Sequence, residues 1–165
     1  MTATSIQSPS VDEQRPVAPA SCPVTRAPAV LFTPPRLPEV GKDDDEFWFG
    51  TEKLWTALLK SGAVWGWAPR GPGNADLTAK IFWYSVDYDR HREGNADLEV
   101  TGRRLDGDAP PLVANRTTNA LGDPYDAMLT GVYMPTPGCW EITGAYTGQN
   151  LSFVVWLYPV KQVNQ

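Results

Sequence analysis

The last third of the chain shows the most regular alternation of apolar and polar positions. Two runs with a period of two residues flank the segment Gly148-Gln149-Asn150: Trp140, Ile142, Gly144 and Tyr146 before it, and Leu151, Phe153, Val155 and Leu157 after it. Successive side chains of a strand point to opposite faces of a sheet, so this period predicts two strands with one buried face each. The glycine and asparagine between them favour a tight turn and hence a β-hairpin. We expect its core-facing side chains to include Trp140, Ile142, Phe153, Val155 and Leu157.

Shorter patterns typical of strands precede the hairpin at intervals of about ten residues. They cover residues 63–67, 80–88, 98–103, 112–114 and 127–134. Aromatic residues occupy both alternating faces of 80–88, which predicts a central strand or one covered on both sides. Many short strands without helices between them predict an all-β fold, and we expect an immunoglobulin-like antiparallel β-sandwich.

Residues 51–60 fit two local structures. In a short helix Thr51 would be the N-cap, Gly62 would end the helix, and one face would be apolar. That face would consist of Leu54, Trp55, Leu58 and Leu59. An extended conformation of residues 54–58 fits nearly as well, so both alternatives stay open.

The first 40 residues have no periodic pattern. Eight of the 16 prolines lie within the first 38 residues, among serine, alanine and threonine. Proline fixes φ and lacks an amide donor, which predicts an extended or polyproline-II arm that cannot fold alone. A disordered tail and a docked arm are both compatible with this composition. The predicted organisation is a Pro-rich arm over residues 1–40, a sandwich domain over 41–160 and a tail over 161–165.

Composition narrows the classes of partner. The chain has 165 residues, a formal net charge of -5 and a pI of about 4.8. Nucleic acids require a basic surface, so we expect no nucleic-acid partner. No segment approaches the roughly 20 apolar residues of a membrane span, and we expect a chain that does not cross a membrane.

The two cysteines, Cys22 and Cys139, allow more than one state. They could form one disulfide that ties the arm to the body, which would indicate an oxidising compartment, or they could be two unrelated thiols. Residues 20–22 (Ala-Ser-Cys) also resemble the end of a lipobox. However, residues 1–21 contain no apolar segment of the kind found in signal peptides, which argues against lipidation at Cys22.

No pattern of a side-chain active site is present. His91 is the one histidine, and the sequence contains neither a nucleophile elbow nor a phosphate-binding glycine loop. We therefore expect no enzymatic activity, no cofactor and no metal. Three pairs of aspartates in predicted turns could ligate calcium, but aspartate also favours turns without a metal, which is the interpretation we prefer. These pairs are Asp87 with Asp89, Asp106 with Asp108, and Asp123 with Asp126.

The chain contains seven tryptophans, and large aromatic side chains mostly belong to cores. We assign Trp55, Trp83 and Trp140 to the core. Trp65 and Trp67 share one face of a short strand beside a glycine-rich loop at 69–73, and they are the better candidates for exposure. The candidate binding surface for a sugar or peptide consists of Trp65, Trp67, Arg103 and Arg104.

Four segments have a recognisable sequence: 98–112 (LEVTGRRLDGDAPPL), 128–158 with its GCWEITG motif, 22–25 (CPVT) and 47–50 (FWFG). They resemble a family of uncharacterised bacterial envelope and lipoprotein-like β-sandwich proteins. The resemblance covers most of residues 22–158. It implies an extracytoplasmic β-sandwich with a Cys22–Cys139 disulfide, and it supplies no catalytic residues.

Two hypotheses for the function follow. The first is a non-catalytic structural or interaction protein of the periplasm or cell envelope with a protein partner, such as an accessory subunit of a membrane-associated complex. The second is a ligand-binding module for sugar or peptide that uses the surface aromatic residues and the arginine pair. A contiguous exposed aromatic groove would favour the second hypothesis.

Overall fold

A computed structural model of the chain describes residues 16–36, 43–67, 78–120 and 126–160. Within these residues the chain forms ten strands and one helical turn. They are β1 (Glu46–Gly50), β2 (Trp55–Leu59), β3 (Val64–Trp67), β4 (Ala79–Tyr84), α1 (Arg90–Glu93), β5 (Glu99–Arg104), β6 (Val113–Ala114), β7 (Thr118–Ala120), β8 (Ala127–Tyr133), β9 (Gly138–Tyr146) and β10 (Gln149–Pro159).

The strands form two sheets packed face to face. Sheet A has the order β1-β2-β4-β8-β6, with β7 also paired to β8, and sheet B has the order β3-β10-β9-β5. The chain is thus an all-β sandwich, as the alternating patterns predicted. The narrower assignment to the immunoglobulin-like class stays a prediction, and the domain boundary at residue 40 and the tail 161–165 lie outside the described residues.

The predicted hairpin is β9 and β10, and it lies at the centre of sheet B. Ile142 pairs with Phe153, and Trp140 pairs with Val155. The five side chains expected in the core are at most 1% exposed. Since every second residue of both strands faces the interior, the register predicted from the period of two is confirmed.

The helix considered for residues 51–60 is wrong, and the extended alternative is correct. The Thr51 hydroxyl accepts hydrogen bonds from the amides of Lys53 and Leu54, so it caps a tight turn instead of a helix. The chain then enters β2, which pairs with β1 on one side and with β4 on the other. Pairing on both sides of a strand outweighs a local preference for helix.

One strand departs from the expected antiparallel arrangement. The connection at residues 60–63 carries the chain from β2 in sheet A to β3 in sheet B. There β3 runs parallel to β10, with Val64 opposite Trp156. Parallel strands are joined by long connections and not by tight turns. Since more than 80 residues separate β3 from β10 along the chain, their pairing leaves no local signal in the sequence.

Candidate interaction surface

Trp65 and Trp67 lie on β3 with both rings packed against the interior. Trp65 contacts Phe153 edge-on, with the ring centroids 6.3 Å apart. The indole Nε1 of Trp67 donates a hydrogen bond to the carbonyl of Met134 at 2.8 Å. Both side chains are half-buried against the main core, so only part of each ring is open to solvent.

Arg103 and Arg104 lie on β5 and have different surroundings. Arg103 is largely exposed, and its Nε donates to Glu141 at 2.8 Å. The Nε of Arg104 donates to Asp106 at 2.7 Å, and the side chain is mostly buried. A Cβ on Gly138 would lie 2.6 Å from Arg104 Nε, so this glycine leaves the space that the guanidinium occupies. Arg104 therefore has a structural role at the end of β5.

The structure does not bring the two tryptophans and the two arginines together. β3 and β5 are opposite edges of sheet B, with β10 and β9 between them. Three strand spacings separate the edges, which is about 14 Å. A ligand-binding role for these four residues stays a prediction, without the common groove that would favour it.

A disulfide joins the arm, residues 16–36, to the outer face of sheet B. Cys22 and Cys139 are bonded, with their Cα atoms 5.5 Å apart, and both are buried. Ala18, Val24 and Val64 complete a small second core around the bond. The predicted pairing is confirmed, and a cysteine sulfur held in a disulfide is not available for lipid attachment.

The arm continues from this bond across the sandwich to the other sheet. Thr25 forms main-chain hydrogen bonds with Val154 and Ala63. Ala27 then packs against the main core, and Phe32 packs on the outer face of sheet A. The arm thus contacts the outer faces of both sheets and the interior between them.

Between its contacts at Ala27 and Phe32 the arm presents apolar side chains to solvent. Val30 is 85% exposed and Leu31 is 54% exposed. Five large apolar residues are exposed in the described part of the chain, and three of them, with Val17 as the third, lie on the arm. Pro28 precedes this segment and Pro34-Pro35 follows it, which restricts its backbone.

The outer face of sheet A carries a buried aromatic group, here called the outer aromatic cluster: Trp48, Trp55, Tyr84 and Ala127. The rings of Trp55 and Tyr84 are stacked, with centroids 6.1 Å apart and an interplanar angle of 12°. Trp48 meets Tyr84 edge-on at 5.3 Å. The solvent-facing side of a two-layer sandwich is normally polar, so a dry aromatic cluster there requires a third layer, and Phe32 supplies part of it.

Two polar atoms of the outer aromatic cluster are buried without a hydrogen bond. Within the described residues, neither Trp55 Nε1 nor the Tyr84 hydroxyl has a partner. Burial and, to a lesser degree, the negative charge of Glu46 raise the pKa of Tyr84 to about 12. The hydroxyl therefore remains a neutral donor over the physiological range, and leaving such a donor unpaired is costly.

The exposed part of the outer face of sheet B is polar by contrast. Thr143 and Ser152, opposite each other on β9 and β10, share a hydrogen bond of 2.7 Å. Arg103 and Glu141 form the neighbouring ion pair. Polar pairs of this kind are ordinary for a solvated sheet face, so they do not indicate a covered site.

A tyrosine pair packs beside α1 at one end of the sandwich. The hydroxyl of buried Tyr146 donates to the Glu93 carboxylate, and that of Tyr88 donates to the Gly94 carbonyl at 3.2 Å. Burial and the bond to Glu93 raise the pKa of Tyr146 above its ordinary value. Burial also raises the pKa of Tyr88. Both hydroxyls therefore stay protonated near neutral pH, and their hydrogen bonds hold α1 against the body.

Four of the six aspartates that could have bound calcium have protein partners: Asp87, Asp89, Asp106 and Asp126. Asp89 caps α1 by accepting from the His91 amide at 2.9 Å, and Arg92 donates to the same carboxylate. Asp87 lies 3.6 Å from Lys53. Asp123 lies outside the described residues. Across the described ranges, no three histidine, cysteine, aspartate or glutamate side chains form a group that could hold a metal ion.

An open groove of about 650 Å³ lies where β5 faces the β6–β7 connection. Residues 95–100 form one wall, and Asn115 and Arg116 lie in the other. The buried hydroxyl of Thr117, which also lines the groove, already bonds to the Leu98 carbonyl and to Thr130, both at 2.8 Å. Among the described residues that line the groove, none has a buried side-chain polar atom without a hydrogen bond.

No helix in the described part of the chain has the length and apolarity needed to cross a membrane. No family model matches the sequence, and no curated protein or solved structure matches it either. The relationship to bacterial envelope proteins therefore stays a prediction.

The outer aromatic cluster was not predicted as a unit from the sequence. Trp55 was expected in the core, which is right in burial, but its ring lies on the outer face of sheet A instead of between the sheets. One signal was available, because aromatic residues on both faces of 80–88 indicated a strand covered on both sides. In β4, Trp83 faces the interior and Tyr84 faces the outer cluster.

Proposed function

We propose that this chain is a non-catalytic interaction protein that binds a protein partner through its arm. The observation that carries the proposal is the pair Val30 and Leu31, two large apolar side chains held in solvent on an attached segment. Exposed apolar groups that are grouped together commonly mark protein-binding sites.

The attachment of the arm supports this function. The disulfide holds one side of the segment, and the contacts of Ala27 and Phe32 hold both flanks of Val30 and Leu31. A segment that is ordered before binding loses less conformational entropy when a partner covers it. The arm thus has the properties of a preorganised binding element.

The disulfide also supports a location outside the cytoplasm. Such bonds persist in the periplasm and at the cell surface, and they are rare where thiols are kept reduced. We therefore propose an extracytoplasmic protein of the cell envelope, with an accessory subunit of a membrane-associated complex as one form of this role.

Affinity purification from native membranes, followed by mass spectrometry, tests the proposal. The bait pair is the native chain and a Val30→Ser/Leu31→Ser variant, and the matched control is Val113→Ser, because Val113 is 51% exposed on β6, away from the arm. A partner that is retained by the control and lost by the double variant supports the proposal. Equal recovery with all three chains, each folded as judged by its melting temperature, would contradict it.

A further inference from the structure

We propose that the outer edge of β3 pairs with β3 of a second copy of this chain, in an antiparallel arrangement centred on Gly66. Such a dimer joins the B sheets of the two copies into one continuous sheet. The inference goes beyond the proposed function, because it concerns the edge of sheet B instead of Val30 and Leu31 on the arm.

The main-chain groups of Gly66 point away from the sheet. The carbonyls of Ala63 and Trp67 accept from the amides of Trp156 and Val160, so alternate residues of this segment face β10. Gly66 lies between two such positions, and its amide and carbonyl therefore face outward. No described residue bonds to either group, and Gly66 is exposed. One donor and one acceptor side by side on a sheet edge match the main chain of another extended strand.

The order of residues in β3 fits a second copy as that strand. Around Gly66 the sequence is Trp-Gly-Trp, which reads the same in both directions. Antiparallel pairing about a two-fold axis at Gly66 places Trp65 of each copy opposite Trp67 of the other, and the two Gly66 residues exchange both hydrogen bonds. Trp65 and Trp67 are both partly exposed in the single chain. Cross-strand aromatic pairs of this kind stabilise a sheet, so the contact is self-complementary in hydrogen bonds and in ring surface.

The outer side of this edge is apolar as well. A Cβ on Gly66 would lie 2.8 Å from Val160 Cγ2 and 3.6 Å from the Tyr158 hydroxyl, so these two side chains lie beside the glycine. Val160 is 45% exposed. Strands that avoid edge-to-edge pairing commonly carry charged side chains or proline, and β3 has neither in residues 64–67. Although the chain has a net charge of -5, β3 itself therefore adds no repulsion between two copies.

Two other strand edges lack this combination. The sequence Phe-Trp-Phe in β1 is also symmetric, but Phe47 and Trp48 are at most 7% exposed, so a second copy would bury little of either ring. At the edge of β5, the Gly102 carbonyl already accepts from the Leu112 amide. β3 combines unpaired main-chain groups with aromatic surface that is still open to solvent.

Sedimentation equilibrium of the full, disulfide-bonded chain tests the inference, and the chain itself is the probe. A contact of one short strand from each copy is small, so we expect a dissociation constant of the dimer on the order of 100 µM. Gly66→Pro removes the outward amide and thus both hydrogen bonds on the two-fold axis, which should raise this constant at least about tenfold. Gly66→Ala is the matched control, because it adds a Cβ as proline does but keeps the amide, and it should dimerise like the native chain.

A second pair of variants keeps the test decisive if Gly66→Pro does not fold. Val160→Lys places a positive charge from each copy beside the paired strands and should weaken the dimer at least about threefold at low salt. Val113→Lys is its control, because Val113 is 51% exposed on β6 in the other sheet, and it should have no effect. In the native chain, hydrogen exchange of the Gly66 amide should slow as the protein concentration rises through the dissociation constant.

A chain that stays monomeric up to about 1 mM would overturn the inference, since even weak specific contacts are populated there. A dimer that neither Gly66→Pro nor Val160→Lys weakens would assign the contact to another surface and would also overturn it. The Val30→Ser/Leu31→Ser variant should dimerise like the native chain, so the dimer and the proposed function can each fail alone.

Discussion

Thr25 and Val154 satisfy each other's hydrogen-bonding groups at the edge of β10. The Thr25 amide donates to the Val154 carbonyl at 2.9 Å, and the Thr25 hydroxyl accepts from the Val154 amide at 2.8 Å. Two residues further along, the Trp156 amide donates to the Ala63 carbonyl, where β3 takes over as the partner. One arm residue thus completes the sheet edge just before β3 begins.

Thr25→Ala should destabilise the protein by about 1–2 kcal/mol, because it leaves the partly buried Val154 amide without its acceptor. Thr25→Ser is the matched control, since it retains the hydroxyl. We expect a lower urea midpoint for the alanine variant alone, together with faster hydrogen exchange of the Val154 amide. Identical exchange in the two variants would show that the hydroxyl does not protect that amide.

The Cys22–Cys139 bond joins residues 117 positions apart. Replacing both cysteines with serine should lower the free energy of unfolding by up to about 4–5 kcal/mol, because the unfolded chain regains the entropy that a crosslink of this length removes. The native protein in reducing buffer should melt close to the double variant, and protease should cut both within the arm. An unchanged melting temperature after verified reduction would contradict this account.

Local patterns were sufficient to predict much of the sandwich. The hairpin of β9 and β10 was predictable because a period of two, repeated over both strands, fixes which face is buried. Residues 51–60 were not, because Trp55 and Leu58 suit an apolar helix face as well as a strand between two neighbours. The parallel pairing of β3 was not predictable either, since no turn joins it to β10.

The same limit applies to the candidate site. The cysteine pair could be anticipated because only two cysteines exist, but their geometry could not be. Phe32, Trp48, Trp55 and Tyr84 come from four separate segments and meet only on the folded outer face of sheet A. The exposure of Val30 and Leu31 likewise depends on where their flanking residues dock, which a proline-rich pattern does not specify.

Asp106 should make stability depend on pH in the acid range. Burial opposes ionisation, but the hydrogen bonds from Arg104 and from the Cys139 amide hold the pKa of Asp106 below its usual value. A carboxylate with a lower pKa in the folded state stabilises the protein above the unfolded pKa of about 3.9, and this contribution is lost as the pH falls through the folded pKa.

We therefore expect Asp106→Asn to reduce the loss of stability between about pH 5 and about pH 2.5, measured as urea midpoints. Asp108→Asn is the control, because Asp108 is an exposed aspartate in the same turn. If both variants lose stability as steeply as the native chain, the Arg104–Asp106 pair does not contribute to acid denaturation.

Gly144 lies directly beneath the ring of Trp83, and its substitution by alanine should destabilise the core. A Cβ at this position would lie 2.6 Å from the Trp83 ring, which is closer than real Cβ contacts. The ring is fully buried and packs on Phe153 at 5.8 Å, so it has little room to move. Overpacking of this kind costs about 1–3 kcal/mol.

The matched control is Gly107→Ala, where the nearest atom would be Arg104 Cζ at 3.4 Å, an ordinary contact. We expect a lower melting temperature and an altered near-ultraviolet circular dichroism spectrum for Gly144→Ala, and a change within about 0.5 kcal/mol for the control. If Gly144→Ala melted like the native chain, the close approach of β9 to Trp83 across the core would be wrong.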